Sequence, residues 1–329
     1  MIYILLMLVL VLFPSCNKSN EDNTKPELIL RYADNQASNY PTTQAAIKFS
    51  ELVSDRTQGK IKIIIYPDGT LGNENEVLKQ VIFGGIDFSR FSLGTFASYL
   101  NEFEVLELPF LYRDSEHMWK VLDGEIGNYF LTLTEDSEIE GLSWFDAGAR
   151  NFYTITKANS ISDLKDRVIR VQESDFMSAV VSVIGANAVQ IPYSDVYSSL
   201  QTLKINGAEN NFPSYVSMGH SEVAKYMLLD EHIRIPELQV MSKKTFEKIN
   251  SINPSYIDII KQCAKESAIY ERDLWKKAEE DALKKMKEQG VILTEVTEEE
   301  KSYYRKQISS LYENRTEKEK QIIKAIQDM

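Results

Sequence analysis

Polar residues of a few types recur in this chain at the places where a fold would put chemistry. In sheets flanked by helices, ligands settle beyond the carboxyl ends of strands. The residues that follow the expected strands are Asn35 and Gln36, Asn73 and Glu74, Arg90 and Ser92, and Asn210 and Asn211. Arg150 lies in an extended connecting segment, and Arg170 near the end of another expected strand. Amides, hydroxyls, carboxylates and guanidinium groups gathered in this way support reversible recognition through hydrogen bonds and charge. Covalent chemistry finds less support. The sequence has no Gly-rich phosphate loop, no Gly-x-Ser-x-Gly elbow and no His-Glu-x-x-His pair. Glu74 or Glu209 could serve an exported hydrolase or lyase as a base, but no nucleophile with an adjacent base accompanies either. His117, His220 and His232 are scattered and no Cys/His cluster exists, so neither a zinc site nor a cofactor is expected.

The elements that must position these residues are legible in the hydrophobic periodicity. Residues 27–33 read as a strand, 41–57 as a helix with Pro41 in its first turn, and 60–66 as a strand closed by Pro67-Asp68-Gly69. A helix over 73–83 and a strand over 86–91 extend this opening into a first lobe with a parallel sheet. The order returns later: strand 167–171, helix 174–184, strand 188–191, then a helix over 194–203 with Ser194 as N-cap. Residues 142–157 look extended and long enough to run from one lobe to the other, with Trp144 and Phe145 alternating like core. After Pro254 come long charged helical stretches, 256–290 with Gly290 as a stop, and 298–329.

At 329 residues the chain is long enough for two cores. Its net charge of −12, with no Lys/Arg run before the mixed-charge C-terminal helices, argues against a nucleic-acid partner. An anionic ligand must therefore be held by local chemistry. The start differs from the body: residues 2–13 are almost continuously apolar, too short for a comfortable span, and end in Phe13-Pro14-Ser15-Cys16 before a polar stretch. That is an export signal. A small residue before a lone cysteine resembles the lipoprotein cleavage box, in which Cys16 would be acylated. Phe13 and Pro14 depart from that pattern, and no basic residue precedes the apolar run, so a plain secretory signal is the alternative. After processing only Cys263 remains, and its helical context makes it core.

Five blocks carry a family resemblance. They are 44–53 with Gln58-Gly-Lys-Ile, Tyr66-Pro-Asp-Gly-Thr-Leu-Gly-Asn73, Leu108-Pro-Phe-Leu-Tyr-Arg-Asp114, Asp163-Leu-Lys-Asp-Arg-Val-Ile-Arg170, and 185–203 with Asn206-Gly-Ala-Glu-Asn210. In this order and spacing, over residues 28–294, the chain resembles the solute-binding subunit of tripartite ATP-independent periplasmic (TRAP) transporters, of the dicarboxylate-binding-protein (DctP) type. The resemblance implies an α/β, two-lobed periplasmic binding protein fold with inter-lobe crossing strands and a long bracing helix. The divisions expected are a signal peptide over 1–16, a tether over 17–26, lobe 1 mainly over 27–148, lobe 2 mainly over 149–240, and bracing helices over 241–329. It implies delivery of ligand to TRAP membrane subunits from the periplasm. A lipid-tethered sensor domain would share the site and differ in partner.

Carried onto this sequence, the resemblance makes Arg170 the residue that takes the ligand carboxylate, a task suited to a planar fork that keeps its charge. Arg150 would support the carboxylate or a neighbouring hydroxyl, and Asn210 would donate to the carboxylate. Tyr193 matches an aromatic position packing on the ligand, or is core. Asn35, Glu74 and Ser92 match first-lobe contacts, and Gln36, Asn73, Arg90, Asn211, Tyr215 and His232 complete the candidates. The runs 209–215 and 225–232, with Asn35-Gln36 and Tyr40-Pro41, look like the uronate-binding branch. A hexuronate such as glucuronate or galacturonate is therefore expected, bound without covalent chemistry. Sialic acid, a C4-dicarboxylate or a keto acid is the alternative, although Ser92 stands where the sialate branch carries an acid.

Overall fold

The computed structural model describes residues 25–329. The apolar leader and Cys16 lie outside the described residues. No helix among the described residues is long and apolar enough to cross a membrane.

Residues Leu28–Ala33 (β1) alternate buried and exposed over their first four positions, the period of a half-covered strand. The chain returns through the helix Pro41–Arg56, which has a proline in its first turn, to Ile61–Tyr66 (β2), parallel to β1 from Leu28 opposite Ile61 to Ala33 opposite Tyr66. The helix Glu74–Phe83 begins with a reciprocal capping box between Asn73 and Glu76 and leads into Phe88–Ser92 (β3). Further strands are Ile139–Phe145 (β4), Ala149–Thr154 (β5), Val168–Val171 (β6), Asn187–Gln190 (β7), Gly207–Asn210 (β8), Tyr226–Leu229 (β9), Ile233–Arg234 (β10), Glu237–Ser242 (β11) and Ile292–Glu295 (β12). The first sheet has the order β2-β1-β3-β11-β4, and the second β12-β9-β5-β8-β6-β7 with β10 beside β5.

This is the expected two-lobed α/β architecture, with informative departures. The first sheet is mixed, because β11 runs antiparallel to both β3 and β4. The chain comes back from the second lobe to make that strand, so the boundary expected at residue 240 falls inside a strand of the first sheet. Within the expected C-terminal helical region, β12 pairs parallel with β9 in the second sheet. Ser194 does not cap a helix: a tight 3-10 turn over Tyr193–Asp195 precedes the helix Val196–Gln201, and the Ser194 hydroxyl donates to Asp195 Oδ1 at 2.9 Å. The final stretch divides into helices Glu298–Gln307, Ser309–Glu313 and Glu317–Gln327, the last opened by a capping box between Thr316 and Glu319.

Three segments carry the chain between the sheets: Asp146–Gly148 from β4 to β5, Ile235–Pro236 from β10 to β11, and the stretch containing the long helix Ser255–Glu288 from β11 to β12. The first lies against the long helix, with Asp146 N donating to Glu271 Oε2 at 2.9 Å, while Pro236 O in the second accepts from Leu93 N at 3.2 Å. That helix buries Ile260, Cys263, Ala264, Ser267, Ala268, Glu271 and Trp275, spaced three or four apart on one face. It packs on the helix Pro41–Arg56 and β4 of the first lobe and on the helix Phe212–Ser217 of the second. Gly148 has φ +60, and a Cβ there would collide with Glu279 and Trp275 on the long helix, so the crossing needs glycine both for its backbone angle and for space. The last helices also bridge the lobes. Tyr304 donates to Val180 O at 3.3 Å, while the His117 ring meets Ile326 O at 2.8 Å.

Candidate functional site

Between the two sheets lies a cleft of about 300 Å³, at the small end of the roughly 300–1,000 Å³ that small-molecule sites occupy. Its walls come from residues at or just beyond the carboxyl ends of β1, β3, β6 and β8, joined by Arg150 near the start of β5 and Glu237 at the start of β11.

The second lobe supplies three adjacent strands. On the central one, β8, Ala208 lies opposite Arg170 of β6, and Asn210 lies opposite Asn151 of β5, next to Arg150. Arg150 is fixed from its own lobe: Nη2 donates to Glu209 Oε1 at 2.8 Å and to Glu209 O at 3.0 Å, Nε donates to Glu209 Oε2, and Nη1 donates to Asn210 Oδ1 at 3.0 Å. Asn210 Oδ1 also accepts from Asn211 N at 2.8 Å. Two donors on the oxygen orient the amide so that its NH₂ group is left over as a donor.

Arg170 is treated differently. Its Nε donates to Ile191 O at 2.8 Å, anchoring the base of the fork. Among the described residues its Nη atoms have no hydrogen-bond partner and no carboxylate within ion-pair distance, although the residue is only 3% exposed. Burial pulls the guanidinium below the ordinary arginine value; Glu209 and Tyr153 oppose that pull and Arg150 adds to it. A cation held this way gains from an anion brought into the cleft. Tyr193 forms part of the same wall, and the neighbouring His220, pushed down to about 3 by burial and then by Arg170, is neutral and adds no competing charge.

The first lobe centres on Arg90. Its Nη2 donates to Asp34 Oδ1 at 2.8 Å and to Asn35 Oδ1, and its Nη1 to Glu74 Oε1 at 3.1 Å and to Glu237 Oε1 at 3.0 Å. Burial opposes the Arg90 charge, but Asp34, Glu237 and Glu74 outweigh it and hold the guanidinium well above its usual value. Glu74 is in turn engaged: Oε1 also accepts from Ser92 N at 3.1 Å and Oε2 from Thr95 Oγ1 at 3.0 Å. Asn73 and Asn211 line the cleft while their side chains cap helices, accepting from Glu76 N at 2.9 Å and Ser214 N at 2.8 Å. Gln36 lines the cleft beside Tyr193, its backbone N donating to Asp34 Oδ1 at 3.0 Å.

Of the residues expected at a site, eleven converge here: Arg170, Asn210, Arg150, Glu74, Asn35, Ser92, Tyr193, Gln36, Asn73, Arg90 and Asn211. Tyr215 and His232 do not. Tyr215 sits inside the second lobe on the buried side of the helix Phe212–Ser217, its hydroxyl donating to Ala224 O at 2.6 Å. His232 is paired with Asp230 at 2.6 Å and lies flat on Phe152, with ring centroids 4.2 Å apart. Sequence reading missed Glu237, Gln172, Thr95 and Ser214. Gln172 follows β6 directly and was the one a strand-end rule could have found; Glu237 depends on a strand that returns from the other lobe.

Two side-chain hydrogen bonds join the lobes beside the cleft. Gln172 Nε2 donates to Ser92 Oγ at 2.9 Å, and the Tyr40 and Ser214 hydroxyls lie 2.8 Å apart. Each joins one lobe to the other, so both form only with the lobes together.

Comparison with known proteins places this geometry. The family described as bacterial extracellular solute-binding protein, family 7 (DctP) matches residues 32–319. A solute-binding protein of Chromohalobacter salexigens is 32% identical over 275 residues, 83% of this chain and 80% of that protein. A TRAP periplasmic solute-binding protein of Xanthobacter autotrophicus, solved with bound β-D-galacturonate, superposes with a TM-score of 0.87 at 36% identity, covering 90% of this chain and 98% of that one. One from Pseudomonas putida, solved with D-glucuronate, gives 0.88 at 31% identity over 92% and 97%.

Proposed function

The chain belongs to the DctP family of extracellular solute-binding proteins, and from that premise we propose that its cleft captures a hexuronate, glucuronate or galacturonate, for delivery to the membrane subunits of a TRAP transporter. One observation carries the ligand chemistry: Arg170 is buried at the cleft wall with no carboxylate partner among the described residues, beside an amide whose NH₂ is left to donate. A ligand carboxylate fits that fork in bidentate fashion, with Asn210 fixing its orientation. Arg150 acts from behind, holding Asn210 and compensated by Glu209.

The other end of the cleft argues for a single carboxylate. Arg90 there already meets Asp34, Glu74 and Glu237. A second ligand carboxylate would face those acids, whereas sugar hydroxyls would find the amide of Gln36 and the hydroxyl-bearing rim. Solved relatives point the same way, being described with galacturonate and glucuronate. Closure then follows by population shift: ligand bridges the lobes, and the crossings at Asp146–Gly148 and Ile235–Pro236 bend against the long helix. We assign residues 27–145 with 237–242 to one moving lobe and 149–234 with 292–295 to the other. We further propose that Cys16 is acylated and tethers the protein to the membrane; Cys16→Ser would then leave the membrane fraction, and its retention there after a high-salt wash would refute the anchor.

A thermal-shift panel tests the ligand assignment, because a ligand at 100 times its dissociation constant stabilises the folded state by about 2.7 kcal/mol. Glucuronate or galacturonate should raise the melting temperature. A response to succinate, malate or sialate with none to any uronate would overturn the uronate assignment.

A further inference from the structure

At the boundary between the lobes, two buried groups present oxygens without donors. Glu107 ends the 3-10 turn Asn101–Glu107 of the first lobe and is wholly buried, and neither of its carboxyl oxygens has a hydrogen-bond partner among the described residues. Gln172 belongs to the second lobe, just past β6. Its Nε2 donates across to Ser92 Oγ at 2.9 Å, while its Oε1 is buried and unpartnered among the described residues. Gly94 locates the two groups relative to each other. A Cβ added there would lie 2.2 Å from Gln172 Oε1 and 3.6 Å from Glu107 Oε2, so both oxygens crowd the same bare stretch of backbone.

Unmatched buried polar atoms are uncommon, and two adjacent acceptors call for a shared proton. Glu107 can supply it, since a protonated carboxyl is a donor. The charged groups facing Glu107 are Glu104 from the same turn, Arg315 from the segment after the helix Ser309–Glu313 and, from the second lobe, Arg150 of β5 and Glu209 of β8. Tyr112 faces it as well, with a hydroxyl that has no partner among the described residues. Both cations are matched elsewhere: Arg315 Nη1 pairs with Glu104 Oε2 at 2.7 Å, and Arg150 with Glu209. Burial above all, reinforced by Glu104 and opposed by Arg315 and Arg150, holds the Glu107 carboxyl well above the usual carboxylate range. The carboxyl therefore keeps its proton.

We propose that Glu107 is a positioning residue for lobe closure: as a neutral acid it donates to Gln172 Oε1 across the lobe boundary and so turns the amide to present Nε2 to Ser92. Glu107 is not among the residues that line the cleft, so it acts through Gln172 and not on the ligand. Two cross-lobe bonds in series result, Glu107 to Gln172 and Gln172 to Ser92, and opening breaks both. Loss of the proton or of the carboxyl leaves the amide oxygen unmatched and favours the open form. Gly94 meets a matching need, because Gln172 Oε1 fills the place its side chain would take. The inference rests on the cleft being a uronate site, since the ligand reports closure, and it adds a determinant of affinity that no ligand atom touches.

Calorimetric titration of the full-length protein with glucuronate and galacturonate tests this on the wild type, Glu107→Gln, Glu107→Ala, Gly94→Ala, Gln172→Leu and the double variant Glu107→Ala/Gln172→Leu. Glu107→Ala should bind about three- to tenfold more weakly, the worth of one hydrogen bond. Glu107→Gln keeps a donor, so it should stay within about twofold of wild type. In the double variant the Glu107 change should add less than about twofold to the effect of Gln172→Leu, because its influence passes through that amide. Gly94→Ala retains every charged group and displaces only the flexible end of Gln172, so it should fold normally and also lose about three- to tenfold. Wild-type affinity in Glu107→Ala or Gly94→Ala, a Gln variant as weak as the alanine one, or the full Glu107→Ala loss in the Gln172→Leu background would each overturn the assignment. A wild type that binds neither uronate is a separate result: it would refute the uronate reading on which the inference rests.

Discussion

Arg150 and Glu209 form a two-pronged ion pair beneath the cleft floor, Nη2 to Oε1 at 2.8 Å and Nε to Oε2, with Glu209 wholly buried. The pair distinguishes two buried arginines that flank β8, one on β5 and one on β6. The charge of Arg150 is matched inside the protein, whereas that of Arg170 meets no carboxylate among the described residues.

Removing the compensating acid should therefore damage the fold before it damages recognition. Glu209→Ala leaves the Arg150 charge buried and unpaired, and breaking a buried pair from one side costs about 3–5 kcal/mol. Urea denaturation of the ligand-free protein should register that loss.

Arg170 should behave in the opposite sense. Arg170→Ala removes a cation that has no protein carboxylate among the described residues and that burial disfavours, so stability should change little or rise. Uronate affinity should fall by about 2–5 kcal/mol, roughly 30-fold to several thousand-fold. Arg170→Lys should recover little, because an ammonium cannot present the planar fork. Paired melting curves and calorimetry separate the two effects.

Arg170 and Asn210 could be picked out because each lies at the end of a short apolar segment followed by polar residues; Arg150 stood in a segment read as a connection and entered through the family resemblance, and the structure makes that segment strand β5. Tyr215 and His232 were misplaced for a local reason. The helix starting at Phe212 turns Tyr215 inward, and Asp230, two residues before His232, claims its ring. Glu237 was invisible because its place depends on β11 crossing back to pair with β3 and β4, partners about 145 and 92 residues distant in sequence. Periodicity reports which face of a strand is buried; it does not report which sheet the strand joins.

Closure should be tunable from outside the ligand contacts. Tyr40→Phe deletes the hydroxyl that meets Ser214 across the lobes at 2.8 Å. It should weaken binding by about 0.5–1.5 kcal/mol, the net worth of one such bond. Stopped-flow measurement should place most of the change in dissociation, where mutants of one binding site usually differ.

Glu107 is wholly buried and neither of its carboxyl oxygens has a partner among the described residues. Burial first, then Glu104, pushes it well above the usual carboxylate range, with Arg315 and Arg150 opposing. The folded state thus keeps the proton that the unfolded chain releases. The resulting stability is fully present below the unfolded value of about 4.3 and is lost as pH rises toward the folded one. Glu107→Gln should accordingly be more stable than wild type near pH 7–8, by about 1–3 kcal/mol, with the gap closing near pH 4. Melting temperatures of both proteins across that range provide the test.

The orientation of the ligand is the central claim, and a diffraction structure of crystals grown with glucuronate tests it most directly. The account predicts the carboxylate within hydrogen-bond distance of both Nη atoms of Arg170 and of Asn210 Nδ2, with the sugar hydroxyls turned toward Gln36 and Arg90. A carboxylate lying against Arg90, with hydroxyls facing Arg170, would contradict it.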